Sequence, residues 1–224
     1  KVKNNDDFKS GKAGEEEAIK TGKGVVIASG GFGADTAFRA YQDPRLGEQT
    51  GTTNQPSATA ECICTAIRSG ACPVQLSQIQ LGPWASPDEK GYGAGPSFSE
   101  YVVFQRGIVV DPRTGKRIAN ELADRKTLSD ALLATGGPCT GIADSSALKK
   151  SGWDISRALS KKVVMEFGSL EELSLFYGID PDQLALTVNR FNSFTRERRD
   201  PDFGKLIIET ADEIKHPPFF GIRL

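Results

Sequence analysis

The chain has 224 residues, 38% hydrophobic and 25% charged, which is enough apolar material for a globular core. Its 28 basic and 29 acidic residues nearly cancel, so no global field favours nucleic acid or an anionic membrane. No apolar stretch approaches the ~20 residues that span a bilayer, and a single histidine argues against Ser-His-Asp or Cys-His hydrolase chemistry.

Residues 1–22 are polar and read as exposed hairpin or loop, with no apolar segment of the signal-peptide kind. The sequence KGVVIASGGFG follows at 23–33. Val25, Val26 and Ile27 have no polar partner in alternation, which predicts a strand covered on both faces. Gly30, Gly31 and Gly33 remove three β-carbons within four positions, so a flat or anionic group could approach the main chain closely. A strand followed by a tight turn fits this segment equally well.

A helix is expected at residues 34–41, then a Gly, Thr, Asn and Pro-rich loop over 43–56. Ala58, Ile63, Ala66 and Ile67 predict an amphipathic helix within 57–70, stopped by Gly70. Residues 75–82 read as a strand and 84–96 as a long loop. Residues 101–111 read as a buried strand centred on Ile108, Val109 and Val110, turned by Pro112–Gly115 into a second hairpin arm at 116–120. Ser169 three residues before Glu172 forms a capping-box pattern, and Gly178 stops that helix. Asp180 with Pro181 starts another, whose Leu184, Val188 and Phe191 belong to the core. Arg196, Arg198 and Arg199 read as a solvated face. Cys62, Cys64, Cys72 and Cys139 show no C-x-x-C spacing and are expected to be small buried thiols, with no metal bound.

Three segments are candidates for a polar site: Thr52-Thr53-Asn54-Gln55-Pro56 just before a helix N-terminus, Ser99-Glu100, and residues 120–125. By composition alone, Arg125 reads as half of a surface ion pair with Asp124 or Glu121.

The order ASGGFG, DPRL, TTNQPSAT, QIQLGPW, GIVVDPRTGKRIANELADR and SLEELSLFYGIDPDQLALTVNRFN resembles the fumarate reductase and urocanate reductase flavoproteins, relatives of the succinate dehydrogenase flavoprotein subunit. The resemblance covers nearly the whole chain. It implies an α+β fold: the cap, or substrate-binding, domain of a fumarate reductase-type flavoprotein, with part of the FAD-binding α/β domain. Residues 1–50 would be a partial FAD-binding domain, 51–217 the cap, and 218–224 the return to the FAD-binding domain. The opening G-x-G-x-x-G is not in the chain, which on this reading is the middle of a longer flavoprotein and inactive alone.

The cofactor implied is FAD, contacted by Ala28, Ser29, Gly30 and Gly31. The chemistry implied is hydride transfer from reduced flavin to one carbon of a C=C bond next to a carboxylate, while a protein acid protonates the other. Arg125 matches the family's acid and Glu100 its relay partner. A guanidinium serves as an acid only if a relay reloads it. Gln55, Thr53 and Ser99 match substrate contacts. The partners implied are a small carboxylate, the remainder of the flavoprotein, and a cytochrome or flavin electron donor. The compartment is unassigned.

Three departures stand out. Val103 replaces a second relay arginine, Gln55 replaces a substrate-binding histidine, and Thr59-Ala60-Glu61-Cys62 replaces T-G-D-G. An uncharged Gln55 favours a urocanate-like enoate over fumarate. Alternatives are a non-catalytic carboxylate-binding or interaction module on the same fold, or a dehydrogenase of the ketosteroid type.

Overall fold

The computed structural model describes residues 18–89, 91 and 93–224, and the chain divides into two compact units, Lys1–Gly30 and Gly31–Leu224. Most of the hairpin or loop expected over 1–22 lies outside the described residues.

In the first unit, residues 18–30 carry no helix or strand. The buried strand expected at Val25–Ile27 is not formed: these side chains are 76%, 91% and 53% exposed. A strand is buried only when neighbours supply both edges and both faces, and no described residue pairs with this run.

The second unit contains a five-stranded, wholly antiparallel sheet. Its strands are β1 (Ile108–Asp111), β2 (Lys116–Arg117), β3 (Thr140–Asp144), β4 (Val164–Phe167) and β5 (Phe219–Arg223), in the order β2-β1-β3-β5-β4. Residues 218–224 therefore supply a strand inside the sheet, where Gly141 faces Ile222 and Glu166 faces Phe220.

Alternation along the strands sends side chains to two cores. Ile108, Val110, Ile142 and Phe219 enter one, against α8 (Leu170–Tyr177) and α9 (Pro181–Glu197) through Leu173, Leu184, Val188 and Phe191. Val109, Ala143, Phe220 and Ile222 enter the other. There they meet α3 (Ala94–Phe98), the π-helical turn Ser99–Val103, α4 (Phe104–Arg106), α5 (Arg125–Thr135), α6 (Ser145–Ser151) and α7 (Ser156–Ser160) through Phe98, Val102, Phe104, Leu128, Ala147 and Ala158. The second unit is thus a mixed helix and antiparallel-sheet fold with helices on both faces.

Local signals set several ends. Ser169 Oγ accepts from the Glu172 amide at 3.1 Å, and Asp180 Oδ1 from that of Gln183 at 2.9 Å. Glu172 bonds back to the Gly168 amide at 2.8 Å, one residue before the position expected of a capping box.

Other expectations are corrected. The first half of the strand expected at 101–111 is helical, with only Ile108–Asp111 extended. Val102, Val103 and Phe104 are all buried, and an apolar run enclosed on every side does not distinguish strand from helix. Residues 75–82 form no strand. The expected loop at 84–96 ends early, because the Glu89 carboxylate accepts from the Ala94 and Gly95 amides, at 3.0 and 2.7 Å, and starts α3. Of the cysteines only Cys139 is buried, where burial pushes its thiol up. Cys62 is exposed and Cys64 intermediate because α2 (Glu61–Arg68) buries none of its residues, and Cys72 is exposed in the irregular segment that follows. Arg196, Arg198 and Arg199 are exposed, as expected of a solvated face, and the Arg198 guanidinium there donates to the carbonyls of Ile208, Ala211 and Glu209.

Candidate active site

The glycine cluster runs into α1 (Thr36–Gln42), which Asp35 caps by accepting from the Phe38 amide at 2.9 Å. The other Asp35 oxygen accepts from the Ala60 amide at 3.1 Å, tying α1 to the start of α2. A side chain at Gly33 would overlap the Asn54 amide group, so the glycine lets the threonine loop lie against this turn.

Arg39, on α1, is buried and organises the same loop. Its Nη1 donates to Gly33 O at 2.8 Å and Gly51 O at 3.3 Å, and its Nη2 to Gly47 O at 3.2 Å and Thr50 O at 2.7 Å. Burial lowers its pKa, an effect partly offset by Asp35.

A cavity of about 360 Å³ opens beside this loop. Thr50–Asn54 form one wall, residues 79–85 another, and Arg125, Ser129, Leu132 and Leu133 of α5 a third. Two arginines, Arg39 and Arg125, line it, and no carboxylate does among the described residues. The Ser129 hydroxyl, buried in this wall, has no hydrogen-bond partner.

Arg125 is the first residue of α5. The adjacent Asp124 carboxylate is occupied as the helix cap, accepting from the amides of Lys126 and Thr127 at 3.0 and 3.1 Å. Glu121 is bound elsewhere, to Arg117. The surface ion pair considered for Arg125 is therefore not formed. Its guanidinium instead lies 4.6 Å from the Trp84 ring centroid, and Nη1 donates to Gln80 Oε1 at 3.3 Å.

Of the residues singled out from sequence, Thr53 and Arg125 meet at this cavity. Gln55 is exposed and outside the lining, where its neighbour Asn54 takes the place. Ser99 and Glu100 lie on the π-helical turn, away from the cavity wall. Ser99 is fully buried and donates to Gly95 O at 2.9 Å, and Glu100 is intermediate. Sequence reasoning missed Arg39, Gln80 and Trp84. The cue for Trp84 was in QIQLGPW, where a large aromatic follows Gly-Pro, but nothing local marks it as a partner of Arg125.

A family profile described as FAD binding domain matches residues 2–224. The chain belongs to this FAD-binding family, and its cofactor is FAD. Among relatives, it is 37% identical over 222 residues to the acrylate reductase flavoprotein subunit of Shewanella woodyi, covering 97% of this chain and 44% of that protein. It is 32% identical over 179 residues to the fumarate reductase (cytochrome) of Shewanella frigidimarina, covering 80% of this chain and 30% of the relative. In fold it is similar to the open conformation of a flavocytochrome c3 fumarate reductase, with TM-score 0.72 and 24% identity over 90% of this chain and 34% of that one. The chain thus spans less than half the length of the curated relatives it matches.

The segment expected to contact FAD is open. Ala28, Ser29, Gly30 and Gly31 are exposed and carry no side chain larger than a hydroxymethyl. Gly30 has φ +81°, and a β-carbon at Gly30 or Gly31 would meet nothing within 4 Å. Their amides bond to no other main-chain group among the described residues. Bare, unpaired backbone of this kind suits a flat or anionic group. Among the described residues no cluster of His, Cys, Asp and Glu is placed to hold a metal, and no helix is long and apolar enough to cross a membrane.

Proposed function

We propose that this chain is the cap and flanking hinges of an FAD-dependent reductase that saturates a C=C bond next to a carboxylate, the cap starting near residue 51 and its sheet including β5. The observation that carries the reading is a guanidinium that, among the described residues, has no carboxylate partner and lines a cavity with no acid in its wall. Arg39 is committed to four carbonyls, so Arg125 is the cation left to meet a ligand. One free cation matches one carboxylate. The 37% identity to a protein named as an acrylate reductase supports the same class: a small enoate with a single carboxylate. Fumarate, with two, is the poorer fit.

Ala28, Ser29, Gly30 and Gly31 would hold FAD, which in its reduced form supplies a hydride to one alkene carbon. The residues of the chain do the rest. Arg125 would hold the substrate anion and give a proton to the second carbon, so hydride and proton together yield the saturated acid. Its side chain is exposed, and solvent water, in place of a Glu100 relay, returns the proton to the guanidine. Thr53 and Asn54 offer polar groups on the substrate side, and Ile79, Leu81 and Leu132 form apolar walls that thin the water around the reacting carbons. Gln55, Ser99 and Glu100 line no part of this cavity. An electron donor, cytochrome or flavin, returns the cofactor to its reduced state.

The test is to supply the FAD-loaded full-length protein with a reduced dye and acrylate, fumarate or urocanate in turn. Consumption of dye with acrylate, at a higher kcat/KM than with fumarate, is expected. No consumption with any of the three, or a preference for fumarate, would overturn the reading.

A further inference from the structure

We propose that Trp84 is the positioning residue for Arg125, an assignment that rests on the reading of the cavity given above. Arg125 lines two adjoining cavities. One is the acid-free cavity already described. The other, of about 640 Å³, is lined by Asp43, Asp124 and Asp130 together with Arg45 and Lys126. A long, flexible cation at this boundary would be drawn to the acidic side. It is held instead across the indole face, 4.6 Å from the ring centroid, with one N–H donated to Gln80.

An aromatic face holds a guanidinium without neutralising it. A carboxylate in the same place would consume the charge and two of the five N–H donors. The Trp84 stack leaves the charge intact and the remaining donors free at the edge of the plane, which suits a group that must meet a substrate anion and hand over a proton.

The indole is itself fixed. On one side it packs against the core beneath the sheet. On another it closes on Gly82, where an added β-carbon would lie 3.2 Å from Cε2 and Cζ2. The glycine thus makes room for the ring, and the ring holds the guanidinium at the boundary of the two cavities, on the wall of the acid-free one.

The experiment uses the FAD-loaded full-length protein and acrylate, comparing Trp84→Phe, Trp84→Leu and Arg125→Ala. Binding to the oxidised enzyme is measured by calorimetry, and KM and kcat are measured separately. Loss of a cation–π contact to an exposed guanidinium predicts that Trp84→Leu weakens acrylate binding and raises KM by about 2- to 5-fold, with a smaller change in kcat. Trp84→Phe, which keeps a ring, stays within about 1.5-fold of wild type. If Trp84→Leu does not fold, the readout is the difference in tryptophan fluorescence between wild type and Trp84→Phe, which isolates the Trp84 signal and should change on acrylate binding and not do so once Arg125→Ala is added. Unchanged binding and KM in Trp84→Leu, or a silent Trp84 signal, while Arg125→Ala abolishes both binding and reduction, overturns the role of Trp84 alone. Unchanged binding and reduction in Arg125→Ala overturns the reading of the cavity as well.

Discussion

Arg117 and Glu121 meet as a two-pronged pair inside the protein, Nε to Oε1 at 2.9 Å and Nη2 to Oε2 at 2.7 Å, with both side chains out of water. The pair belongs to a balanced cluster. Asp200 takes the other end of Arg117 at 2.9 Å, and Lys205 reaches Glu121 at 3.3 Å and Gly107 O at 2.6 Å. Phe191 and Phe203 flank the Arg117 guanidinium at 5.0 and 5.1 Å. Two cations and two anions share one desolvated space, so removing one charge leaves another without compensation.

Glu121→Gln should therefore destabilise the protein by about 3–5 kcal/mol, a fall in thermal midpoint on the order of 10 °C. Thermal unfolding followed by circular dichroism measures it. A change within 2 °C would mean that the cluster is not a buried charge network.

The same cluster sets the acid limit of stability. Burial pushes the Glu121 carboxyl up, but the charge of Lys205, the hydrogen bonds and charge of Arg117 and the bond from the Val109 amide outweigh it and hold it below its usual value. Asp200 is likewise lowered, its burial outweighed by Arg117 and the amides of Phe203 and Asp202. Both groups bind protons more readily unfolded than folded. Their contribution is present above the unfolded carboxylate values, near ~4, and is lost as pH falls through the folded ones, with a slope of up to about 1.4 kcal/mol per pH unit for each group. Unfolding midpoints should hold between pH 7 and 5 and drop below ~4.5, less steeply in Glu121→Gln.

Asp144 gives a third test. It is buried at the end of β3, where Oδ1 accepts from the Ala147 amide at 2.9 Å and caps α6, while Oδ2 accepts from the Lys215 and His216 amides at 3.1 and 2.9 Å. One carboxylate thus joins a helix start to the segment that leads into β5. Asp144→Ala leaves three amide donors without their acceptor and should cost about 2–4 kcal/mol, measured by denaturant unfolding. Asp144→Asn, which keeps one acceptor oxygen, should cost less.

What the sequence disclosed was local. Ser169, Asp180 and Pro181 act within one helical turn, so their residue types announce the helix starts. Leu184, Val188 and Phe191 share a face by periodicity alone. Glu89 capping α3 and Arg39 gathering carbonyls from Gly33 to Gly51 depend on chain segments folding back, which no spacing displays. Val25–Ile27 show the converse: an apolar run states a need for cover and cannot supply it. At the site, motif order brought out Thr53 and Arg125. The contacts that place Arg125 come from Gln80 and Trp84, more than forty positions earlier, and so were not legible.

The most direct test of the account is the rate at which an enoate reoxidises the reduced FAD-loaded full-length protein in single turnover, for wild type, Arg125→Lys and Arg125→Ala. Loss of a positioned proton donor predicts a fall of about 10²- to 10⁴-fold in Arg125→Ala, with Arg125→Lys also strongly impaired, because an ammonium cannot reproduce a planar, ring-stacked donor. Reoxidation in Arg125→Ala within threefold of wild type would contradict it.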